Sequence, residues 1–585
     1  MGALRPSKAL FGSDLMVDVL NELGIKYIAL NPGASYRGLH DSIVNYGEGK
    51  PEMLMCAHEE FAVAMANGYA RVTGKPMATG LHNVVGLQHA SMAIFNAWCD
   101  RTPMLNLGGG GPQDANHRRS TDWVHTALVQ GALVRDFVKY DDQPNSVEAA
   151  SESLLRGYRI STTQPTGPVY ICLDTDVQEK RLETTMSVPN VKLFAAPAPP
   201  RPNLEALREA ASMLAEAEWP VIISGEIGRD AEALPSMIEI AELLGAPVIE
   251  VDGRYSISNA HPLDVTSLRE EVLAQADVVL ALDVPSLGVP LGPSVRERGA
   301  LKPAISPDCK VIHITLRDQE KQSWVSDNMW LMPVILPIAA DTTQALHELL
   351  IMCRELRAMG EDYTKKVEER RAKVTAMHDA ARVKAEAATK AEWDSVPIAG
   401  GRLFSEIRDR VRGRDWALVM DHGRRWREVL ELTEVAHGLG GGRGGGVGYG
   451  LPSSIGAALA YKGTGRLVVS ILGDGDFFMT SNALWTAAKY DIPLLVIIYN
   501  NRSYYNDEDH QERVAVARDR PVENKGIGIR IEGPAPDFAA LARSIGVQAF
   551  GPVASPGDLG AVLDEAIKIV DSGKPVVVDV LTQAR

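Results

Sequence analysis

The chain has 585 residues, 45% hydrophobic and 23% charged, too long for a single hydrophobic core and ordinary in composition for a globular protein of several domains. A formal net charge of −15 argues against nucleic acid or an anionic membrane as the main partner. The five cysteines are scattered without a CxxC pair, so neither a disulfide framework nor a zinc site is expected, and a reducing compartment fits.

The opening "MGALRPSKALFGSDLM" lacks the long apolar core of a signal peptide, and no stretch approaches the roughly 18 apolar residues that span a bilayer. A cytoplasmic protein is expected. In the first block, "KYIALNPG" runs into a turn, "MATGLH" leads into the helical "ASMAIFNAWCD", and "GPVYICLDTD" closes the block near residue 176. Between the first two runs lies "HEEFAVAMANGYARVTGKP", where Ala62, Met65, Ala66 and Tyr69 recur at helical spacing. Glu59 then stands in a first helical turn, where an acid commonly serves only the helix dipole. His82 follows a strand, a position where a lone histidine is more often structural.

The proline-dense "SVPNVKLFAAPAPPRPN" predicts a linker. The second block alternates "LEALREAASMLAEA", "WPVIISG", "IEIAELLGAPVIEV", "ADVVLALD" and "KVIHITL", the pattern of a parallel, doubly wound sheet. A charged, alanine-rich stretch at about 354–394 predicts a solvated connecting helix. The third block carries "WALVMD", "RLVVSILGDGD", "IPLLVIIYNN" and "KPVVVDVL". The expected fold is therefore α/β with three doubly wound parallel-sheet domains, at 8–185, 200–350 and 395–585.

Ligands of open α/β sheets sit at the carboxyl ends of the strands, beside helix N-termini that favour anions. "LGDGDFF" lies at such an end, and the next strand closes on Asn500 and Asn501. A carboxylate at 474 and an amide at 501 would then be oxygen donors on neighbouring strands, a set that suits Mg²⁺ bridging a phosphate. Other motifs fit less well. Phe478 stands where a Rossmann fingerprint needs its third glycine, and "DGDFFM" lacks the ligand and the glycine of an EF-hand. The glycine run "GLGGGRGGGVGYGLP" contains GxGxxG, but no clear strand precedes it.

"GDG" followed at this spacing by "NN" resembles the thiamin diphosphate and Mg²⁺ motif of the acetolactate synthase and benzoylformate decarboxylase superfamily, and "SNALWTAAKYDIPLLVIIYNN" is especially close to the decarboxylase version. The resemblance covers all three blocks. It implies an N-terminal pyrimidine-binding domain, a middle domain and a C-terminal diphosphate-binding domain. Asp474, Asn501 and Ser503 (through its carbonyl) become metal ligands. Gly423, Gly473, Gly475, Asp476 and Tyr504 join the cofactor site, with Val447 as the wedge beneath the bent cofactor. Asp476 is expected to turn its backbone rather than its carboxylate to the diphosphate.

The resemblance also makes Glu59 the essential glutamate, with Glu60 its surface neighbour. Bonded to the aminopyrimidine, such a glutamate lets the cofactor's own amine take the proton from the thiazolium carbon. His82 matches a histidine of benzoylformate decarboxylase and takes an acid/base role, whereas His89 is expected to be structural. The substrate shell departs from that enzyme. Its pocket serine corresponds to Ala34, its second histidine has no match, and Gly110 stands where relatives place glutamine.

The implied activity is that of a lyase or decarboxylase acting on a small 2-keto acid or a related 2-hydroxyacyl compound. The alternatives are a carboligase of the acetolactate synthase kind, a 2-hydroxyacyl-CoA lyase, and a non-catalytic cofactor-binding relative. The resemblance further implies a homodimer or homotetramer with active sites between subunits. Nothing in the sequence supports FAD or ADP in the middle domain. The polar segment 501–529 is expected to form a lid, its "DEDH" (507–510) a solvated charge run.

Overall fold

Each of the three blocks folds into one parallel sheet, because its inner strands are buried along almost their whole length and are covered on both faces. The computed structural model describes residues 5–251, 253–292, 303–317, 323–325, 330–355, 360–420, 422 and 426–584. The first sheet comprises β1 (Tyr27–Leu30), β2 (Glu52–Met55), β3 (Met77–Leu81), β4 (Met104–Gly110), β5 (Asp141–Asp142) and β6 (Pro168–Asp174). Its order is β2-β1-β3-β4-β6-β5, with every pairing parallel. The second contains β7 (Pro220–Ser224), β8 (Val248–Glu250), β9 (Val278–Leu282), β10 (Lys310–Ile314) and β11 (Leu336–Ile338), ordered β8-β7-β9-β10-β11. The third contains β12 (Trp416–Met420), β13 (Leu467–Gly473), β14 (Leu495–Asn500), β15 (Gln548–Val553) and β16 (Val576–Leu581), ordered β12-β13-β14-β16-β15. The fold is α/β, as the alternation of apolar runs and helical stretches predicts. Among the described residues no helix is long and apolar enough to cross a membrane.

Five helices border the site, α1 (Glu59–Thr73), α2 (Asn83–Cys99), α4 (Gly450–Tyr461), α5 (Asp474–Thr480) and α6 (Tyr505–Ala517), while α3 (Glu361–Ala391) connects the second and third blocks. Two expectations need correction here. Part of the predicted linker is ordered, since Ser187–Val188 pairs antiparallel with Arg5–Pro6 and Val191–Phe194 forms a single helical turn. The predicted connecting helix is solvated along most of its length, but it is also docked. Arg370, Val374, His378 and Thr389 are buried. Arg370 donates to the carbonyls of Ala217 and Glu218, both at 3.0 Å, which close the helix Leu204–Glu216.

The first and third sheets meet through α1 and α4, which cross backbone against backbone. A Cβ on Gly68 would overlap the carbonyl of Ser453, and one on Gly456 would overlap that of Met65. Close crossings of this kind require glycine on one side of each contact. Gly68→Ala is therefore expected to cost about 1–3 kcal/mol through forced separation of the two helices. Its thermal midpoint, measured against wild type, checks this. An unchanged midpoint would mean that the crossing is not tight.

Candidate active site

The carboxyl ends of the first sheet gather one half of the site. Glu59 opens α1, and the preceding His58 caps the helix by accepting the Glu60 amide on Nδ1 at 3.2 Å. Glu59 is buried at 6% exposure, and its Oε2 lies 3.0 Å from His89 Nδ1. Gly86 packs so closely that a Cβ there would stand 3.0 Å from Glu59 Oε1. The His58 and His89 rings stack with centroids 4.5 Å apart, and burial together with the His89 charge lowers the pKa of His58. His89 is thus the hydrogen-bond partner of Glu59, where a structural role alone is expected from the sequence. Glu60 is half-buried rather than a surface residue, and its carboxyl is pushed up by burial and by Asp476.

His82 follows β3 and stands at the N-cap of α2. Its Nδ1 lies 2.9 Å from Ser35 Oγ, and its Nε2 lies 3.3 Å from His125 Nδ1. Ala34 points to solvent, so the hydroxyl of this pocket comes from its fully buried neighbour Ser35. His125 is a second histidine of the same pocket, contributed by the first block. The sequence carries no signal for it, because its segment has neither strand nor long-helix periodicity.

The third sheet supplies the other half. Gly473 closes β13 and pairs in register with Tyr499 of β14, so Asp474 and Asn501 stand at adjacent strand ends. Their oxygens converge on one atom: the Ser503 amide donates to Asp474 Oδ2 at 3.1 Å and to Asn501 Oδ1 at 3.0 Å. Asn500, the first of the pair, is structural and donates to Asp579 Oδ1 at 2.9 Å. Asp474 is 2% exposed, and burial pushes its carboxyl up to about 6 against the Gly475 and Ser503 amides. A Cβ on Gly475 would overlap the Tyr504 ring, so only glycine lets the chain pass there. A buried carboxylate and an amide oxygen within reach of one atom are a hard-oxygen set that fits Mg²⁺ and a diphosphate at the start of α5.

Asp476 turns its carboxylate inward, accepting the Gly448 amide at 2.6 Å. That bond holds the glycine-rich turn that carries Val447, itself 47% exposed. Asp100 pins the same turn from the first block, accepting the Gly442 amide at 3.1 Å and the Tyr449 hydroxyl at 3.3 Å. Gly423 lies outside the described residues. In the segment 501–529, which carries α6, Glu508 is buried at 4% exposure and accepts from Ser503 Oγ at 2.5 Å and Arg530 Nε at 3.2 Å. The acidic run is therefore not wholly solvated. One of its members braces the Ser503 turn.

In the middle sheet, the carboxyl edge where a dinucleotide would lie is filled by ion pairs. Arg101 of the first block lies 2.8 Å from Asp283 Oδ1, Arg317 lies 2.6 Å from Glu226 Oε2, and Arg443 of the glycine-rich run lies 2.6 Å from Glu226 Oε1. Burial would raise the Glu226 carboxyl, but the three guanidinium groups overcome it and hold the pKa at about 2. Among the described residues this buried network occupies that edge, and FAD or ADP bound there would have to displace it.

Three family models match consecutive parts of the chain: the N-terminal TPP binding domain of thiamine pyrophosphate enzymes at residues 11–133, the central domain at 207–349, and the C-terminal TPP binding domain at 426–580. The acetolactate synthase large subunit of Haemophilus influenzae is 25% identical, over 98% of this chain and 94% of its own length. A protein of Pseudomonas aeruginosa named "Probable 2-ketoarginine decarboxylase" is also 25% identical, over 93% of this chain and 89% of its own. Among solved structures, the 4-hydroxybenzoylformate decarboxylase of Rhodococcus jostii superposes with a TM-score of 0.74 at 19% identity, covering 98% of this chain and 99% of that one. The benzoylformate decarboxylase of Polynucleobacter necessarius superposes at 0.75, also at 19% identity and with 99% of each chain covered. At that identity the likeness is one of fold.

Proposed function

The chain belongs to the thiamine pyrophosphate enzyme family, and from that premise we propose that it is a Mg²⁺-dependent lyase that breaks the carbon–carbon bond beside the carbonyl of a small 2-keto acid or a related 2-hydroxyacyl compound. Thiamin diphosphate, when bound, would supply both the nucleophilic carbon that adds to the carbonyl and the cationic ring that takes up the electrons of the broken bond. Asp474, Asn501 and the Ser503 carbonyl would hold the metal, and Gly473, Gly475, Asp476 and Tyr504 shape the diphosphate cradle. Glu59 holds the exchangeable proton for the pyrimidine ring, and His89 fixes its carboxylate at 3.0 Å. Active sites form between two copies of the chain. Exposed Val124, Leu128 and Val129, at 75%, 77% and 58%, support a second copy covering the His125 segment.

The observation that carries the lyase reading is the histidine pair His82–His125, anchored on buried Ser35. Two imidazoles at the carboxyl edge of the first sheet suit proton transfer to a released product better than capture of a second carbonyl. The acetolactate synthase relatives favour carboligation as the second reading. A panel of 2-keto acids and acyl-CoA esters, assayed for CO₂, aldehyde and acetolactate, separates the two. Aldehyde release from a 2-keto acid is expected, and acetolactate as the main product from pyruvate would overturn the lyase reading.

A further inference from the structure

The hydrogen bonds around His82 have a direction, and backbone amides set it. The Asn83 amide, which can only donate, donates to Ser35 Oγ at 3.1 Å. That occupies one of the two lone pairs of the hydroxyl, whose proton is free to go to His82 Nδ1, 2.9 Å away, once Nδ1 is an acceptor. The Ser35 amide donates to the same Nδ1 at 3.4 Å. With donors on Nδ1, the neutral imidazole of His82 carries its proton on Nε2. Nε2–H then donates to His125 Nδ1 at 3.3 Å, and the proton of neutral His125 is left on its own Nε2.

The His125 ring is held in place on both sides of its chain. The Val84 amide donates to the His125 carbonyl at 3.0 Å. Thr126 Oγ1 accepts from Asn83 Nδ2 at 3.2 Å and from the Gly111 amide at 2.9 Å. The ring is half-buried, and its Nε2 meets no hydrogen-bond partner among the described residues. Its proximity to the chemistry is set by His82, whose carbonyl accepts the amide of Gly86, the residue packed on Glu59.

We propose that His125 Nε2–H, rather than His82, is the donor offered to substrate, and that it binds the carboxylate or carbonyl oxygen of a 2-keto acid. His82 acts through it, as the group that fixes its tautomer. A neutral N–H fixed in this way polarises a carbonyl and orients an anion, and it is the proton that the pair can pass to the released product. The inference rests on the lyase reading and names the group that would select its anionic substrate.

Two variants separate this role from a structural one. His125→Asn places an amide oxygen where Nδ1 accepts from His82, but removes the outward donor. His125→Gln places an amide nitrogen near Nε2, but loses the contact with His82. Loss of a hydrogen bond to a charged oxygen should lower kcat/KM by about 10- to 100-fold in the Asn variant, mostly through KM. The Gln variant should recover part of that loss. A purely structural His125 gives the opposite order, with Gln poorer than Asn and the lower melting temperature. That order, or an Asn variant equal to wild type, overturns the proposal.

The full-length holoenzyme is assayed with pyruvate, phenylglyoxylate and 5-guanidino-2-oxopentanoate, alongside C2 proton exchange of its bound cofactor. Exchange should be the same in both variants and wild type. A wild-type enzyme that exchanges this proton yet turns over none of the three acids overturns the substrate class and this inference with it. One that exchanges no proton removes the catalytic reading itself.

Discussion

Asp474→Ala is expected to abolish Mg²⁺-dependent binding of thiamin diphosphate while leaving the third sheet folded. The carboxylate is the only charged member of the proposed ligand set and is nearly inaccessible to water, at 2% exposure. Without it, the Ser503 amide keeps its bond to Asn501 Oδ1 at 3.0 Å, so the loop retains one of its two anchors. The cost to the cofactor-free protein should be small, and its pH dependence follows from titration. Burial raises the Asp474 carboxyl from 3.8 to about 6, so the folded state holds its proton more tightly than the unfolded state does. Its contribution to stability is then most favourable below pH 4 and falls as pH rises toward 6. Relative to its protonated form, the ionised carboxylate at neutral pH costs stability on the order of a few kcal/mol. The melting temperature of wild type relative to the alanine variant, both without cofactor, should therefore fall as pH rises from 4 to 7. Calorimetric titration with cofactor and Mg²⁺, together with melting of the cofactor-free proteins, tests both halves. Undiminished affinity in the variant would remove Asp474 from the metal site.

Much of this site is legible in the sequence because its chemistry is written at strand ends. An unbroken apolar run marks a strand covered on both faces, and the first polar residues after it stand at the carboxyl edge. Asp474 and Asn501 can be placed in this way without any tertiary information, and parallel pairing then brings them together. Glu59 and His82 also stand at the carboxyl edge of the first sheet, but there the family resemblance, and not position alone, singles them out. What surrounds them is not local. His89 reaches Glu59 across a helix, Ser35 enters through a turn after β1, and His125 comes from a segment of short turns. None of these pairings follows from periodicity, which reports which face of an element is apolar and not what meets that face.

Charge runs mislead in a similar way. Glu508 sits within "DEDH", where composition predicts a solvated face, yet Ser503 and Arg530 enclose it. Arg101 and Asp283 are far apart in the chain, and their ion pair exists only because the first block packs over the edge of the middle sheet. The glycine-rich run shows the converse. Its glycines read as a weak dinucleotide fingerprint, but Asp100 and Asp476 hold the run as a turn that presents Val447.

Glu59→Gln is expected to retain cofactor affinity and to slow deprotonation of the cofactor's C2 by roughly 10²–10⁴-fold, the range contributed by a positioned acid or base. Glutamine has nearly the shape of glutamate and can keep the hydrogen bond to His89 Nδ1, which lies 3.0 Å from the native carboxylate. The cavity bounded by Gly86 stays filled. What the variant loses is an exchangeable proton, so a drop in exchange rate with unchanged affinity isolates that function from packing. Glu60 is the natural competitor. It is the next residue along α1, and burial together with Asp476 pushes its carboxyl up, which also suits a proton carrier. Deuterium exchange at C2, followed by NMR in Glu59→Gln and Glu60→Gln, distinguishes the two. Only the Glu59 variant should be slow, because its carboxylate is the one that His89 orients. An enzyme that exchanges normally as Glu59→Gln and slowly as Glu60→Gln would move the role one residue along the helix, and His89 would then be bracing the wrong acid for catalysis.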